Sequence, residues 1–257
     1  NLIFMDNSVY LQGKQYHERY KPFPFMICRM GSIQSNTILT YPNLTYNMPK
    51  YKFNCLMYNW RIEKHVAMAY LQDKDMVNNN LITYRKPSLH RVHANNLRQT
   101  LMDYFISYGS ELDVHRTRIK NRAIDMLTTA RDYTLDEDIQ LLPQFSEINS
   151  SLRALPKYVY DDTALSFVIE SFSGSVFNAD NKDDGVFKDH QAFISEKTLY
   201  PLMNGHPWIT FGEHGFHNTM EYFGFHVHDE LFDLSFDSNH NALLRLNQLT
   251  ENIKEID

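Results

Sequence analysis

Short apolar runs alternate along the chain with longer stretches in which apolar residues recur every three or four positions. The runs predict buried strands, and the longer periodic stretches predict amphipathic helices. The strand candidates are YKFNCLMYN (51–59), LITYR (81–85), ALSFVIES (164–171) and the segment from Pro207 to Phe211. Helical patterns lie between and after these strands. This order predicts an α/β fold with a parallel sheet, built from strand–helix–strand units.

The helical stripes have the spacing of residues that face a core. The first stripe follows the strand at 51–59, where Asn59 is the expected N-cap and Arg61 falls in the first turn. The stripes are Ile62, Val66, Ala69 and Tyr70; Leu97, Leu101, Tyr104, Phe105 and Tyr108; Ile119, Ala123, Met126, Leu127 and Ala130; Phe216, Met220 and Phe223, closed by Gly224; and Leu243, Leu246, Leu249 and Ile253.

The composition and the hydrophobic pattern change at residue 50, which predicts that the chain has two structural parts. Residues 1–49 are rich in Tyr, Pro, Asn and Met and contain strand-like runs at 24–30 and 37–41, whereas residues 50–257 carry the strand–helix pattern. Residues 133–160 are expected to connect elements without much regular structure. The acidic, glycine-containing stretch after Ser171 is either a lid or a disordered insertion. Because the chain begins at Asn1 without a Met, we expect the natural N-terminus to be missing.

Composition narrows the class of protein. A chain of 257 residues with 43% hydrophobic content can bury a substantial core. Neither a run of about 18 apolar residues nor a secretory leader is present, so we expect no membrane span and a cytoplasmic location, the host cytoplasm if the chain is viral. Cys28 and Cys55 lie in apolar runs and are expected to be buried free thiols in a reducing compartment.

Charge is unevenly distributed. The net charge is −6, yet residues 85–131 hold nine Lys or Arg against four acids, so this segment is +5 and the remainder is −11. Such a basic segment is either a solvated helical face or a landing surface for an anionic acceptor, such as DNA or an acidic glycan.

The richest candidate chemistry lies in FISEKTLYPLMNGHPWITFG (193–212). Ser195 can cap a helix that ends near Gly205, and Glu196, Lys197 and Thr198 would then occupy its first turn. Unpaired N–H groups and a cation suit phosphate, and a carboxylate suits ribose hydroxyls. The alternative is an ordinary helix cap. Pro201 cannot donate a backbone hydrogen bond, so the helix should bend there or start later than Ser195.

Two further positions favour an anionic ligand. A guanidinium such as Arg61 in a first helical turn is disfavoured unless an anion lies nearby, although a solvated surface arginine fits equally well. Glu170 ends the strand 164–171, at the edge where open parallel sheets bind ligands. The histidine next to Lys64, His65, is expected to be structural.

The histidines near the C-terminus have spacings that a zinc site could use. They are His214, His217, His226 and His228. No Cys lies nearby and the metalloprotease helix pattern is lacking, so a histidine-rich surface near a sheet edge is the competing interpretation, and no metal is expected. A metallohydrolase is the weakest of the functional hypotheses.

Three pieces in order, NCLMYNWR, FVIES and FISEKTLYPLMNGHPWITFG, resemble the donor half of α1,3-fucosyltransferases and of fucosyltransferase-like proteins from viruses, phages and bacteria. The tail GFHVHDELFDLSFD is similar to the closing segment of phage members. The resemblance covers residues 50–237. It implies a GT-B glycosyltransferase, in which two Rossmann-like domains face across a cleft, with no metal or other cofactor and a nucleotide sugar as co-substrate.

The resemblance also implies roles for individual residues. Arg61 and Lys197 would hold the donor diphosphate, Glu196 the ribose, and Glu170 would line the donor-sugar side. The implied donor-binding set is Arg61, Phe193, Ser195, Glu196, Lys197 and Thr198, and the implied catalytic pair is Glu170 and Lys197. The acceptor would be a glycan or a hydroxylated DNA base.

The chain departs from the family pattern in ways that bear on function. Ala192 and Phe193 replace the family's Asp-Tyr, which removes a tyrosyl hydroxyl and allows a different donor sugar, and Ser171 follows Glu170 without the family's Asn. Residues 1–49 are too short for a full acceptor domain, so the general base is unassigned, with Asp6 and Glu18 as guesses. A nucleotide-binding, non-catalytic module of a larger assembly is therefore the alternative hypothesis.

Overall fold

The computed structural model describes residues 2–4, 25–27, 48–57, 61–87, 94–107, 114–130, 132–133, 158–170, 196–222 and 224–256. Two sheets lie in these ranges. Strands β1 (Leu2–Phe4) and β2 (Phe25–Ile27) pair in parallel as a separate two-stranded sheet. The second sheet has four strands, β3 (Tyr51–Met57), β4 (Leu81–Tyr84), β5 (Thr163–Ile169) and β6 (Trp208–Phe211). Strands therefore lie, as predicted, in the runs at 24–30, 51–59, 81–85, 164–171 and 207–211, and the predicted run at 37–41 lies outside the described residues.

The four-stranded sheet is parallel throughout, in the order β4-β3-β5-β6. Asn54 of β3 pairs with Ser166 of β5, and Ile169 of β5 pairs with Phe211 of β6. The chain moves outward from β3 to β4, returns to β5 beside β3, and then moves outward the other way to β6. Its direction therefore reverses between β3 and β5. A mixed α/β chain with such a sheet is compatible with a Rossmann-like fold, and the predicted α/β class is confirmed.

Helices connect and cover this sheet. In chain order the helices are α1 (Ile62–Asp73), α2 (Ala94–Ser107), α3 (Val114–Thr129), α4 (Tyr158–Asp161), α5 (Glu196–Met203), α6 (Phe216–Tyr222), a 3-10 helix (Leu234–Ser238) and α7 (Ala242–Glu255). The predicted stripes are buried in α2, α3 and α7. None of the helices in the described ranges is long and apolar enough to cross a bilayer.

The two faces of the sheet differ in chemistry. Phe53, Cys55 and Phe167 share one apolar core with α1, α2, α3 and α7. Residues of opposite parity, Asn54 and Ser166, point to the other face and are polar. Right-handed crossovers in opposite directions place α1 and α5 on opposite faces. Cys55 is a buried free thiol, as predicted, and burial raises its pKa well above its ordinary value; Cys28 lies outside the described residues.

Candidate functional site

The carboxyl edge of β5 joins the start of α5 through one buried hydrogen bond. Glu170 directly follows β5, and its backbone N–H donates to the carbonyl of Phe211 at 3.0 Å. The hydroxyl of Thr198, in the first turn of α5, donates to Oε1 of Glu170 at 2.6 Å. Both side chains are fully buried. Two residues predicted from the sequence as site residues therefore meet at the edge where parallel sheets bind ligands.

The other predicted residues of this segment are placed only in part. Lys197 lies in the first turn of α5 and is half-buried. Glu196 is the first residue of the helix, but its side chain lies outside the described part of the structure. Phe193 and Ser195 lie outside the described residues entirely. The expected start of the helix near Ser195 agrees with a helix that begins at Glu196.

Helix α5 runs through Pro201. Of the two outcomes expected from this proline, the described helix begins at Glu196, just after Ser195, and a bend at Pro201 stays a prediction. The helix ends as predicted at Gly205, whose φ of 62° only glycine adopts without strain. There the N–H of His206 donates to the carbonyl of Pro201 and that of Gly205 to Leu202, which is the Schellman arrangement.

Arg61 occupies the N-cap position of α1, one residue outside the first turn in which the sequence placed it. Its backbone is extended, its side chain makes no cap hydrogen bond, and its carbonyl accepts from the N–H of His65. Asn59, the predicted N-cap, lies outside the described residues. The exposed guanidinium is close enough to Glu63 to lower the pKa of that carboxyl, although burial has the larger, opposite effect and leaves the pKa raised. Arg61 thus has a carboxyl group near it, two residues along the chain.

Arg61 precedes α1 and Lys197 lies in the first turn of α5, and these two helices cover opposite faces of the sheet. Arg61 follows β3 and Lys197 follows β5, and these strands are adjacent at the point where the chain reverses direction. Helix α1 packs into the apolar core, whereas α5 reaches Glu170. This is the arrangement of a crevice at a topological switch point. The approach of the two cations to one shared pocket stays a prediction.

The residues beside Arg61 divide into two kinds. The side chain of His65 is fully buried, with Nδ1 2.5 Å from the hydroxyl of Tyr84 and Nε2 2.8 Å from the carbonyl of Ala123. Its predicted structural role is confirmed. Lys64 is 1% exposed, which is rare for an ammonium group. Sequence reasoning missed both Glu63 and Lys64 as charged groups held inside the start of α1.

A polar network ties β3 to β5 on the face that carries α5. The side-chain amide of Asn54 lies 2.9 Å from Oγ1 of Thr163 and 3.0 Å from Oγ of Ser166. Nε2 of His206 lies 3.0 Å from the carbonyl of Thr163, so it carries the ring proton. Nδ1 then accepts from Ser166 at 3.1 Å. Burial lowers the pKa of His206, which favours the neutral form of the ring in this network.

The four C-terminal histidines do not form one cluster. The ring of His217 is buried, accepts from the N–H of Thr210 at 3.2 Å and lies 3.3 Å from a carboxylate oxygen of Asp237. It stacks on Trp208 and has a structural role, so the expectation of a histidine-rich surface is wrong for this residue. His214 stacks on His240. Only His226 and His228 converge, together with Glu230, on a common point.

Two arginines of the basic segment at residues 85–131 form ion pairs within the protein. Asp73, at the end of α1, is 2.7 Å from a guanidinium nitrogen of Arg118 and 3.6 Å from one of Arg122. Its side chain is only 5% exposed. Two of the nine basic residues therefore stabilise helix packing, which favours the interpretation of a solvated helical face.

Comparisons with known proteins give no further assignment. The chain matches no model of a protein family, no curated protein and no solved structure. The class that fold and site define is an α/β protein with a parallel sheet and a candidate ligand crevice at its switch point.

Proposed function

We propose that the chain is a nucleotide-sugar-dependent glycosyltransferase whose donor binds at the carboxyl edge of β3 and β5. One observation carries the proposal: the buried hydrogen bond between Glu170 and Thr198 at the switch point, with Lys197 beside it. Crevices at such reversals bind ligands in open parallel sheets. The N–H groups at the start of an eight-residue helix favour an anion there.

The proposed reaction is inverting transfer without a metal. A base deprotonates the acceptor hydroxyl, whose oxygen attacks the anomeric carbon while the bond from that carbon to the diphosphate oxygen breaks. The departing diphosphate gains negative charge, and Arg61 and Lys197 neutralise it from the two sides of the crevice. A glycan or a hydroxylated DNA base supplies the hydroxyl. In this proposal the donor part is of GT-B type, and residues 1–49, which include Asp6 and Glu18, belong to a reduced acceptor part.

The alternative is a non-catalytic nucleotide-binding module. It is motivated by the short N-terminal part, residues 1–49, in which no general base is assigned. Hydrolysis of the donor separates the two functions. A transferase releases sugar slowly to water, whereas a binder bound to the same nucleotide sugar releases none.

A thermal-shift screen of nucleotides and nucleotide sugars tests the proposal. A ligand that binds only the folded state raises the melting temperature. We expect stabilisation by at least one nucleoside diphosphate, and loss of that stabilisation in Lys197→Ala. No shift with any nucleotide would contradict both the transferase and the binding module.

A further inference from the structure

The segment that follows α6 brings three metal-ligating side chains together. His226 and His228 flank Val227, which is buried, and their rings lie 4.6 Å apart at 76° to each other. Oε1 of Glu230 lies 3.0 Å from Nε2 of His226 and 3.4 Å from Nδ1 of His228. All three ligand atoms lie within 4.8 Å of one another.

These separations match those around a bound ion. A tetrahedral ion with ligands at about 2.0–2.1 Å keeps its ligand atoms about 3.3–3.4 Å apart, and an octahedral ion keeps adjacent ligands about 3.0 Å apart. Two of the three separations, 3.0 and 3.4 Å, fall at these values. The third separation, between the ligand nitrogens of the two histidines, is within 4.8 Å and would shorten when both rings bind one ion.

The backbone holds His228 in place. His228 has a φ of 58°, a left-handed conformation that a non-glycine residue adopts only where its surroundings enforce it. Its carbonyl accepts hydrogen bonds from the N–H groups of Leu231 and Phe232, and the Phe232 side chain is buried. The ring of His228 packs edge-on against the buried Trp208. The position of His228 is therefore preorganised, whereas His226 and Glu230 face solvent at 65% and 52% exposure.

We propose that His226, His228 and Glu230 form a binding site for a divalent transition metal of the zinc class. Two imidazole nitrogens and one carboxylate oxygen are ligands that zinc and its neighbours prefer, whereas magnesium and calcium prefer oxygen alone. Three protein ligands leave a fourth position open to water or to a ligand from solvent. The proposal departs from the expectation, drawn from the sequence, that the chain binds no metal.

The metal site is independent of the proposed donor site. Trp208, against which His228 packs, is the first residue of β6, so the cluster lies toward the amino edge of the sheet. Glu170 and Thr198 lie at the carboxyl edge. A metal held here does not contact a donor held there, and each proposal can fail without the other.

Zinc titration of the full chain tests the site. After treatment with a chelator, the protein is titrated with Zn²⁺ in competition with a chromophoric chelator. We expect the wild-type protein to bind Zn²⁺ tightly. In His226→Ala, either the number of ions bound per chain should fall by one or the affinity for Zn²⁺ should fall at least tenfold. Glu230→Gln should weaken binding in the same way, and His240→Ala, an exposed histidine outside the cluster, should leave it unchanged.

Substitution with Co²⁺ gives a second readout, because its visible spectrum reports coordination directly. We expect d–d bands that His226→Ala abolishes and His240→Ala preserves. A variant of His228 could misfold because of the unusual backbone conformation of this residue, so its loss of metal binding would not test the site. The test therefore relies on His226→Ala. Absence of stoichiometric binding, or binding that persists undiminished in His226→Ala, overturns the proposal.

Discussion

The hydroxyl of Thr198 donates a 2.6 Å hydrogen bond to Oε1 of Glu170, and neither side chain is exposed to solvent. The bond fixes the first turn of α5 to the end of β5. Because the two residues are 28 positions apart, it also closes the long segment between them at its base. Its strength can be measured by removing the hydroxyl alone.

Thr198→Val keeps the shape of the side chain and removes the donor. A buried acceptor left without its donor costs about 1–3 kcal/mol, so we expect the free energy of unfolding to fall by that amount. Chemical denaturation measures the change, and Thr198→Ser, which keeps the hydroxyl, is the matched control. A valine variant as stable as the wild type would mean that the hydrogen bond contributes nothing.

Nucleotide affinity should depend on the two cations of the proposed donor site. A charge-assisted hydrogen bond contributes about 1.5–3 kcal/mol, so Arg61→Ala or Lys197→Ala should weaken binding of a nucleoside diphosphate about ten- to a hundredfold. Calorimetric titration measures the affinities. The matched control is Lys254→Ala: the Lys254 carbonyl accepts from Lys52, near the start of β3, which places it toward the opposite edge of the sheet. An equal loss in this control would show a general charge effect instead.

Stability should fall on mild acidification because of two buried histidines. Burial lowers the pKa of His65 and of His206 from the ordinary value of 6.5, and the nearby His228 lowers that of His206 a little further. Below pH 6.5 the unfolded chain therefore binds more protons than the native one. Their contribution is complete above that pH and is lost as the pH falls, by at most about 1.4 kcal/mol per pH unit for each histidine.

Urea unfolding at pH 7.5, 6.5 and 5.5 measures this loss. His65→Gln, although less stable at every pH, should show a shallower dependence of the unfolding free energy on pH. His240→Gln removes an exposed ring and should keep the wild-type slope. A wild-type free energy that stays constant down to pH 5.5 would contradict the assignment.

The buried ring of Phe216 leaves no room for a side chain at position 212, which is Gly212. A Cβ at residue 212 would lie 2.5 Å from Cδ2 and 2.8 Å from Cγ of that buried ring. Overpacking of this kind costs about 1–3 kcal/mol, so Gly212→Ala should be destabilising by that amount. A double-mutant cycle with Phe216→Ala measures the coupling. If the cost of Gly212→Ala is unchanged when the ring is absent, the clash is not its cause.

The sequence predicted the elements well because their signals are local. Periodicity marked α2, α3 and α7, and unbroken apolar runs marked the four strands of the parallel sheet. Gly205 and Gly224 marked the ends of α5 and α6, where both adopt positive φ. Each of these signals depends on residues within one or two turns of each other, so no knowledge of the tertiary fold was needed.

The site was predictable only in part because its contacts join distant segments. Glu170 and Thr198 were both named from the sequence, but their hydrogen bond was not. The pairing of His217 with Asp237 spans 20 positions, and no local pattern shows that this ring is covered. Glu230 was missed as a third member of the histidine cluster because the spacing of the histidines alone was considered, although it lies four residues from His226.

The hydrogen bond between Asn54 and Ser166 also fixes the positions of residues beyond the carboxyl ends of β3 and β5. A slip of β5 by one residue against β3 would turn Ser166 into the apolar core and bring Phe167 beside the Asn54 amide, leaving a buried amide without acceptors. Only one alignment of the two strands avoids that penalty. The positions of whatever groups act beyond Met57 and Ile169 are therefore set from several residues upstream, by side chains that need never touch a ligand.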